Sequence, residues 1–247
     1  MDRLIYVAMS AANHTLTQQA TVAQNLANIS TNGYRAQTNV FRAVPVVGDG
    51  TPTRSFVIDS TPGADFTPGA IQTTGRDLDV AIQGKGWIAV QAADGSEAYT
   101  RDGGLQTNQN GMLITHSGQP VLGDGGPISI PADTRVTVAG DGTVSTVPNT
   151  TLLTSSSVVG RIKLVNPPEA SLTRGADGLF RVSGGVPAPA DASVQLVSGA
   201  VESSNVNPVD GMINMIALAR QFDMQMKMLQ SAESNAQQAT QLLAMPA

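Results

Sequence analysis

The chain has 247 residues, enough for one large domain or two smaller ones, and its 41% hydrophobic content is that of a folded protein. A net charge of −5 and a pI near 4.9 exclude the basic stripe that a phosphate-backbone binder needs, so nucleic acid is not an expected partner. The absence of cysteine rules out disulfides, thiolate metal sites and a thiol nucleophile.

The first residues are not expected to form a secretory signal. Asp2 cancels the charge of Arg3, and the apolar run from Leu4 to Met9 stops short of the usual length of roughly 7–15 residues. Nothing elsewhere approaches the ~20 apolar residues of a membrane span, so no membrane insertion is expected. From residue 4 to about 30 the pattern predicts a helix, because Ile5, Met9, Ala12, Leu16, Gln19, Ala23 and Leu26 recur at alternating spacings of four and three. Such a narrow stripe seats one helix against another in a coiled-coil seam. Thr31-Asn32-Gly33 supplies the stop, with Gly33 as a left-handed C-cap.

Tyr34 to Arg76 carries Pro45, Pro52, Pro62 and Pro68 and reads as an extended connector or long hairpin. Beyond it the pattern changes to short alternating runs such as Gly86-Trp87-Ile88-Ala89-Val90 and Arg135-Val136-Thr137-Val138, which are strands. Asp94-Gly95, Asp102-Gly103, Asn110-Gly111, Asp124-Gly125, Asp141-Gly142 and Asp177-Gly178 punctuate them with residue pairs that tolerate positive φ. A second helix begins near Pro208, with Asn207 as N-cap and Asp210 beside the positive helix end. Its stripe runs through Met212, Met215, Ala219, Phe222, Met226, Leu229, Glu233, Ala236, Thr240 and Leu243. At 1.5 Å per residue this helix would extend roughly 57 Å and needs other helices to cover it.

The expected fold is therefore α+β: long N- and C-terminal α-helices forming a coiled-coil-like core segment, an extended connector and a central, mainly antiparallel β domain. The expected organisation is a terminal helix over 1–33, the connector or hairpin over 34–76, an outer β domain over 77–200 and a second terminal helix over 201–247.

Catalytic signatures are missing from the sequence. His14 and His116 are the only histidines, and no G-x-S-x-G, H-E-x-x-H or G-x-x-x-x-G-K-[ST] motif occurs. Gly84-Lys85-Gly86 leads into a strand rather than a helix N-terminus, which makes it a turn and not a phosphate cradle. Asp77 and Asp79 fall on one face of a strand beside Arg76 and read as surface or salt-bridge groups, although a hydrolase using them is the rival class. The methionines of the second helix read as packing residues rather than a soft-metal site. No enzyme activity, cofactor, metal or small-molecule substrate is expected.

The positive feature is the lack of charge at the ends. No charged residue occurs from Leu4 through Tyr34, and none after Glu233. A solvent-facing helix ordinarily carries Lys and Glu pairs. Amides and hydroxyls can instead be enclosed between helices at lower desolvation cost. Sticky ends around a folded middle suit head-to-tail stacking into a helical polymer.

Asn25-Leu26-Ala27-Asn28-Ile29-Ser30-Thr31-Asn32-Gly33-Tyr34-Arg35 resembles the N-terminal signature of flagellar rod and hook proteins. Ser198-Gly199-Ala200-Val201-Glu202-Ser203-Ser204-Asn205-Val206-Asn207, leading into Met212 and Met215, resembles their C-terminal motif. Leu78 to Trp87 and Tyr99-Thr100-Arg101-Asp102-Gly103 resemble the start of the family's β domain, with Leu105 where many relatives carry Phe. The opening Met1-Asp2 and Met224 to Met228 resemble the proximal rod members, the distal rod protein being the nearest rival. A non-flagellar tube or adhesin subunit would share the β domain but lack the paired terminal motifs.

The resemblance implies a subunit of the hollow drive shaft in the flagellar basal body, within the periplasm, that transmits torque without chemistry. It implies export through the flagellar type III apparatus without a cleaved signal peptide, with further copies of itself and other proximal and distal rod proteins as partners. The assembly interface expected from the stripes and motifs comprises Ile5, Met9, Ala12, Leu16, Ala23, Asn25, Leu26, Asn28, Gly33, Tyr34, Asn205, Val206, Met212, Met215, Ala219, Phe222, Met226, Leu229, Ala236 and Leu243.

Overall fold

A computed structural model describes residues 2–45, 55–149 and 156–243. Among these, two α-helices flank a long succession of short strands: α1 spans Asp2–Ala27 and α2 spans Pro208–Leu243. The chain divides into two compact units, the first built from Met1–Ala27, Gln37–Asp65 and Asn207–Ala247, the second from Asn28–Ala36 and Phe66–Val206.

In the first unit α1 and α2 pack against each other and run antiparallel, since Leu26 lies beside Gly211 while Thr15 meets Gln225. The α2 start follows from its sequence. Asn207 Oδ1 accepts the Val209 N–H at 3.0 Å, and Pro208 occupies the first helical position, where its missing N–H costs nothing. The unit is completed by an antiparallel pair, β1 (Gln37–Pro45) and β2 (Ser55–Ala64), whose register runs from Gln37 opposite Ala64 to Pro45 opposite Ser55.

These observations correct the expected coiled-coil-like segment. The less exposed row of α1 shares Ile5, Ala12, Gln19 and Leu26 with the expected stripe but runs through Ala8, Thr15 and Val22 where the stripe has Met9, Leu16 and Ala23. Among the described side chains of α1, Ala8, Ala12 and Thr15 are buried, while Met9 and Leu16 are 55% and 47% exposed. Among the described side chains of α2 Gln225 is the buried one, and Met212 and Met226 are exposed. Ala8, Ala12, Thr15 and Gln225 thus take buried positions where a coiled-coil seam carries Leu or Ile, beside partly buried Met215, Phe222 and Leu229. Met9 and Leu16, one position on from Ala8 and Thr15, turn outward. Of the two readings given for 34–76, an extended connector or a long hairpin, much of the segment forms the β1–β2 hairpin. The first helix stops at Ala27, not near residue 30, and a turn closed by the Thr31 N–H to the Asn28 carbonyl at 3.2 Å follows.

The second unit is antiparallel throughout. Its largest sheet has five strands, in the order Leu164–Val165, Trp87–Gln91, Glu97–Thr100, Phe180–Val182, Leu172–Arg174. A three-stranded sheet of Thr134–Val138, Thr143–Pro148 and Ser157–Arg161 joins it, together with two-stranded pairs such as Gln195–Ser198 on Val80–Gln83. Val80, Ile88, Val90, Leu105, Leu113, Val121, Val144 and Ile162 make one buried apolar cluster between them. Leu105 is fully enclosed there. Four of the turn pairs place glycine at positive φ, namely Gly95, Gly111, Gly142 and Gly178. In Asp102-Gly103 the glycine serves a different end: a Cβ on Gly103 would overlap the Val80 carbonyl.

Candidate assembly surface and the signature clasp

The two sequence signatures meet in the second unit around a buried ion cluster. Glu202 forms two ion pairs, with Oε1 2.6 Å from Arg35 Nη1 and Oε2 3.3 Å from Arg101 Nε, and all three side chains are at most 4% exposed. The Gly69 N–H adds a hydrogen bond to Oε1 at 2.8 Å. Burial draws the Arg101 guanidinium down to about 10; Glu202 opposes that shift and Arg35 adds to it. Two guanidinium groups share one carboxylate, so the loss of Glu202 would leave two uncompensated buried charges.

Around this centre each signature residue has a physical reason. Gly33 has φ +65°, donates its N–H to the Glu202 carbonyl at 2.7 Å, and lies so close to the Arg101 carbonyl that a Cβ would overlap it. Its left-handed conformation serves this close approach, since the helix has already ended at Ala27. Asn205 Oδ1 accepts the Ala36 N–H at 2.7 Å while its amide donates to the Thr67 carbonyl at 3.0 Å. Arg174 lies over the Tyr34 ring at 4.4 Å and donates to the Arg35 carbonyl at 2.9 Å. The segments 28–36 and 198–206 are thereby bound to each other and to the β domain. Val206, half-buried, closes the second segment.

In the first unit Asn25 exchanges two hydrogen bonds with the Gln37 backbone, accepting its N–H at 2.8 Å and donating to its carbonyl at 2.9 Å. A few residues back, Thr21 Oγ1 accepts from Asn39 Nδ2 at 2.8 Å. His14 packs edge-on against Phe41 with ring centroids 5.5 Å apart. The amide-rich face of α1 is thus engaged by β1. Next to it lies a cavity of about 310 Å³ bordered by Gln18, Asn25, Asn39, Asn214 and Leu218.

The residues expected at an assembly interface divide into three sets. Ala12 is buried, and Ile5, Asn25, Leu26, Met215, Ala219, Phe222 and Leu229 are partly buried in the first unit. Asn28, Gly33, Tyr34, Asn205 and Val206 belong to the second unit. Met9, Leu16, Ala23, Met212 and Met226 are exposed. The side chains of Ala236 and Leu243 lie outside the described residues. Sequence reasoning missed Ala8, Thr15 and Gln225 in the helix contact, and Arg101 and Glu202 in the clasp. An alternating 3-4 phase through residues 5, 8, 12, 15, 19, 22 and 26 fits the sequence as well as the 4-3 phase once Ala and Thr count as packing residues. For the clasp, Glu202 and Arg35 each stand among uncharged residues inside a signature, and that isolation was a readable signal.

Asp77 is not arranged for acid–base chemistry. Its Oδ2 takes the Arg135 Nε at 2.7 Å, and this hydrogen bond and charge hold the carboxyl below the usual carboxylate range, whereas a proton donor near neutrality needs the opposite shift. Asp79, almost fully buried, accepts from the Thr74 hydroxyl at 2.7 Å and pairs with Arg76 at 3.3 Å. No helix among the described residues is long and apolar enough to cross a membrane.

Three family models match along the chain: the flagella basal body rod protein model over residues 5–35, the D1 domain of the flagellar hook protein FlgE/F/G over 81–146, and the C-terminal region of the flagellar basal body rod FlgEFG protein over 197–242. The chain is 50% identical to the flagellar basal-body rod protein FlgF of Escherichia coli K12 over 99% of its own length and 100% of that protein. It has the same identity and coverage with FlgF of Salmonella typhimurium, and 35% identity to FlgF of Caulobacter vibrioides over 98% of each chain. Helical ends, the clasped signatures and the antiparallel middle thus define a structural subunit. The chain belongs to the flagellar basal-body rod protein family.

Proposed function

We propose that the first unit makes the subunit-to-subunit contacts of the rod and that the clasp couples those contacts to the β domain, so that torque passes through the chain without any chemical step. One observation carries this reading: α1 is uncharged from Leu4 onward, yet Tyr6, Met9 and Leu16 are each about half exposed on it. A helix with an outer face of this kind is neither protected by solvent-facing charge nor covered within its own chain, which suits enclosure by neighbouring subunits.

The chain occupies the proximal part of the rod in this proposal, supported by the 50% identity to proteins named FlgF over 99% of the chain. Its neighbours are other proximal and distal rod proteins and further copies of itself, and it reaches the periplasm through the flagellar type III export apparatus. The test is incorporation. An epitope-tagged chain expressed in flagellated cells should be recovered in purified basal bodies, and a Leu16→Asp variant should be exported yet missing from them. A tagged wild-type chain absent from basal bodies, or normal incorporation of Leu16→Asp, would overturn the proposal.

A further inference from the structure

A cavity of about 210 Å³ lies wholly within the second unit, bordered by Arg35 and Arg101 of the clasp, by the rings of Phe66 and Trp87, and by Lys85 and Glu169. It is smaller than the roughly 300–1,000 Å³ of pockets that take drug-sized ligands, a size that suits a small ion. The clasp sets two guanidinium groups against one carboxylate, which leaves one positive charge in surplus beside the cavity. Donors are in surplus as well. Arg35 Nε and Nη2 and Arg101 Nη1 are buried, and none has a hydrogen-bond partner among the described residues. Arg101 Nη2, by contrast, is engaged by the Gly84 carbonyl at 2.6 Å. Buried ions with unmade hydrogen bonds are costly, and native folds keep them where a bound partner supplies what is missing. A water can accept a hydrogen bond there but brings no charge.

We infer that this cavity binds a small oxyanion, phosphate or a carboxylate group, whose oxygens take up the unused N–H groups of Arg35 and Arg101. Planar guanidinium forks match both chemistries. The site goes beyond the rod reading and depends on no contact between subunits. Burial and the neighbouring charge of Arg35 draw Arg101 down to about 10, a shift that an added negative charge would oppose as Glu202 already does. Glu169 is the single carboxylate bordering the cavity, and Lys85 neutralises it at 3.2 Å, the two side chains being 46% and 79% exposed. The surplus charge of the arginines is therefore not cancelled from within the lining. A neighbouring cavity also touches Arg35 and Arg101, but Asp102 and Asp177 border it and disfavour an anion there. The Gly84-Lys85-Gly86 turn contributes a lysine side chain to the site, not a cradle of backbone donors.

Trp87, the single tryptophan, reports occupancy, since its ring centroid lies 5.8 Å from Arg101 Cζ. Sodium phosphate titrated into the purified full-length chain, against sodium chloride of equal ionic strength, should change its emission saturably and raise the denaturation midpoint. Saturation is the criterion, because general stabilisation by phosphate as an excluded salt keeps growing with concentration. Sodium acetate is the second probe. A response to phosphate alone identifies a tetrahedral ion as the occupant, a response to acetate at least as tight identifies a carboxylate, and either supports the site. Arg101→Gln leaves a matched Arg35–Glu202 pair and should weaken binding about 10–100-fold, the loss of hydrogen bonds from a charged donor. Glu169→Gln changes an exposed position, so the fold should be kept while binding tightens about 2–5-fold. Responses to phosphate and acetate no greater than the response to chloride would overturn the inference. So would saturable binding that neither variant alters, which would place the anion elsewhere on the chain.

Discussion

Thr15 and Gln225, 210 positions apart in sequence, meet in the buried contact between α1 and α2, with the hydroxyl 3.3 Å from Gln225 Oε1. The hydroxyl has a second acceptor, the Ala11 carbonyl at 2.9 Å one turn back on its own helix, and a single proton to give. Thr15 therefore keeps a partner whatever happens to Gln225, whereas Gln225 depends on Thr15.

That asymmetry predicts unequal mutants. Gln225→Leu should cost less than about 1 kcal/mol, because the hydroxyl falls back on Ala11. Thr15→Val should cost about 1–3 kcal/mol, the penalty of a buried amide left without its partner. The double variant should recover most of that loss. Hydrogen exchange of α1 and α2 amides in the isolated chain measures all three, and equal effects of the two single changes would contradict the assignment.

A second prediction separates two glycines of similar conformation. Gly33 has φ +65° and Gly199 has φ +73°. A Cβ on Gly199 meets nothing nearer than the Gly75 backbone at 3.8 Å, so Gly199→Ala should cost only the conformational penalty of about 1–2 kcal/mol. Gly33→Ala adds overlap with the Arg101 backbone and should cost roughly 2–5 kcal/mol, once an overpacking penalty of about 1–3 kcal/mol is included. Chemical denaturation followed by the fluorescence of Trp87, the single tryptophan, reports both.

These residues also show what the sequence could and could not reveal. The N-cap at Asn207, the strand runs and the positive-φ turns were legible because each rests on local chemistry within a few residues. The phase of the helix contact was not. Met9 and Leu16 outweigh Ala8 and Thr15 on any hydrophobic count, so the heavier residues drew the stripe. Yet the fold turns Met9 and Leu16 outward and encloses Ala8 and Thr15. The pairing of Glu202 with Arg35 and Arg101 was hidden for another reason. It joins three segments far apart in sequence, and nothing local to any one of them names the other two.

The clasp yields a third prediction. Glu202→Gln removes the one carboxylate shared by two buried guanidinium groups and should destabilise the second unit by about 3–5 kcal/mol, the range for breaking a buried ion pair from one side. The β domain retains its own apolar core, so the variant should fold at low temperature with a reduced denaturation midpoint. An unchanged midpoint would mean that the cluster contributes nothing net.

The last prediction concerns alkaline pH and Tyr99. Its ring is buried, its hydroxyl accepts the Ala188 N–H at 2.7 Å and donates to Glu97 Oε1 at 3.0 Å, and Glu97 is itself held by Lys163 at 2.8 Å. Burial is the main influence that raises the phenol from 10.0 to about 12, and Glu97 pushes the same way. Between those two values the unfolded chain has lost the phenolic proton and the folded chain has kept it. The folded state then binds more protons, so stability falls as pH rises across this window. The contribution is fully present below pH 10 and is gone once the folded group has ionised, near 12. Phenolate absorbance should therefore show one tyrosine ionising about two pH units later than an ordinary one, and Tyr99→Phe should abolish that late step. The same substitution removes the acceptor of the Ala188 N–H. Its cost should accordingly persist at neutral pH, while the slope of stability against pH above 10 becomes shallower. A slope unchanged by Tyr99→Phe would show that another group governs alkaline unfolding.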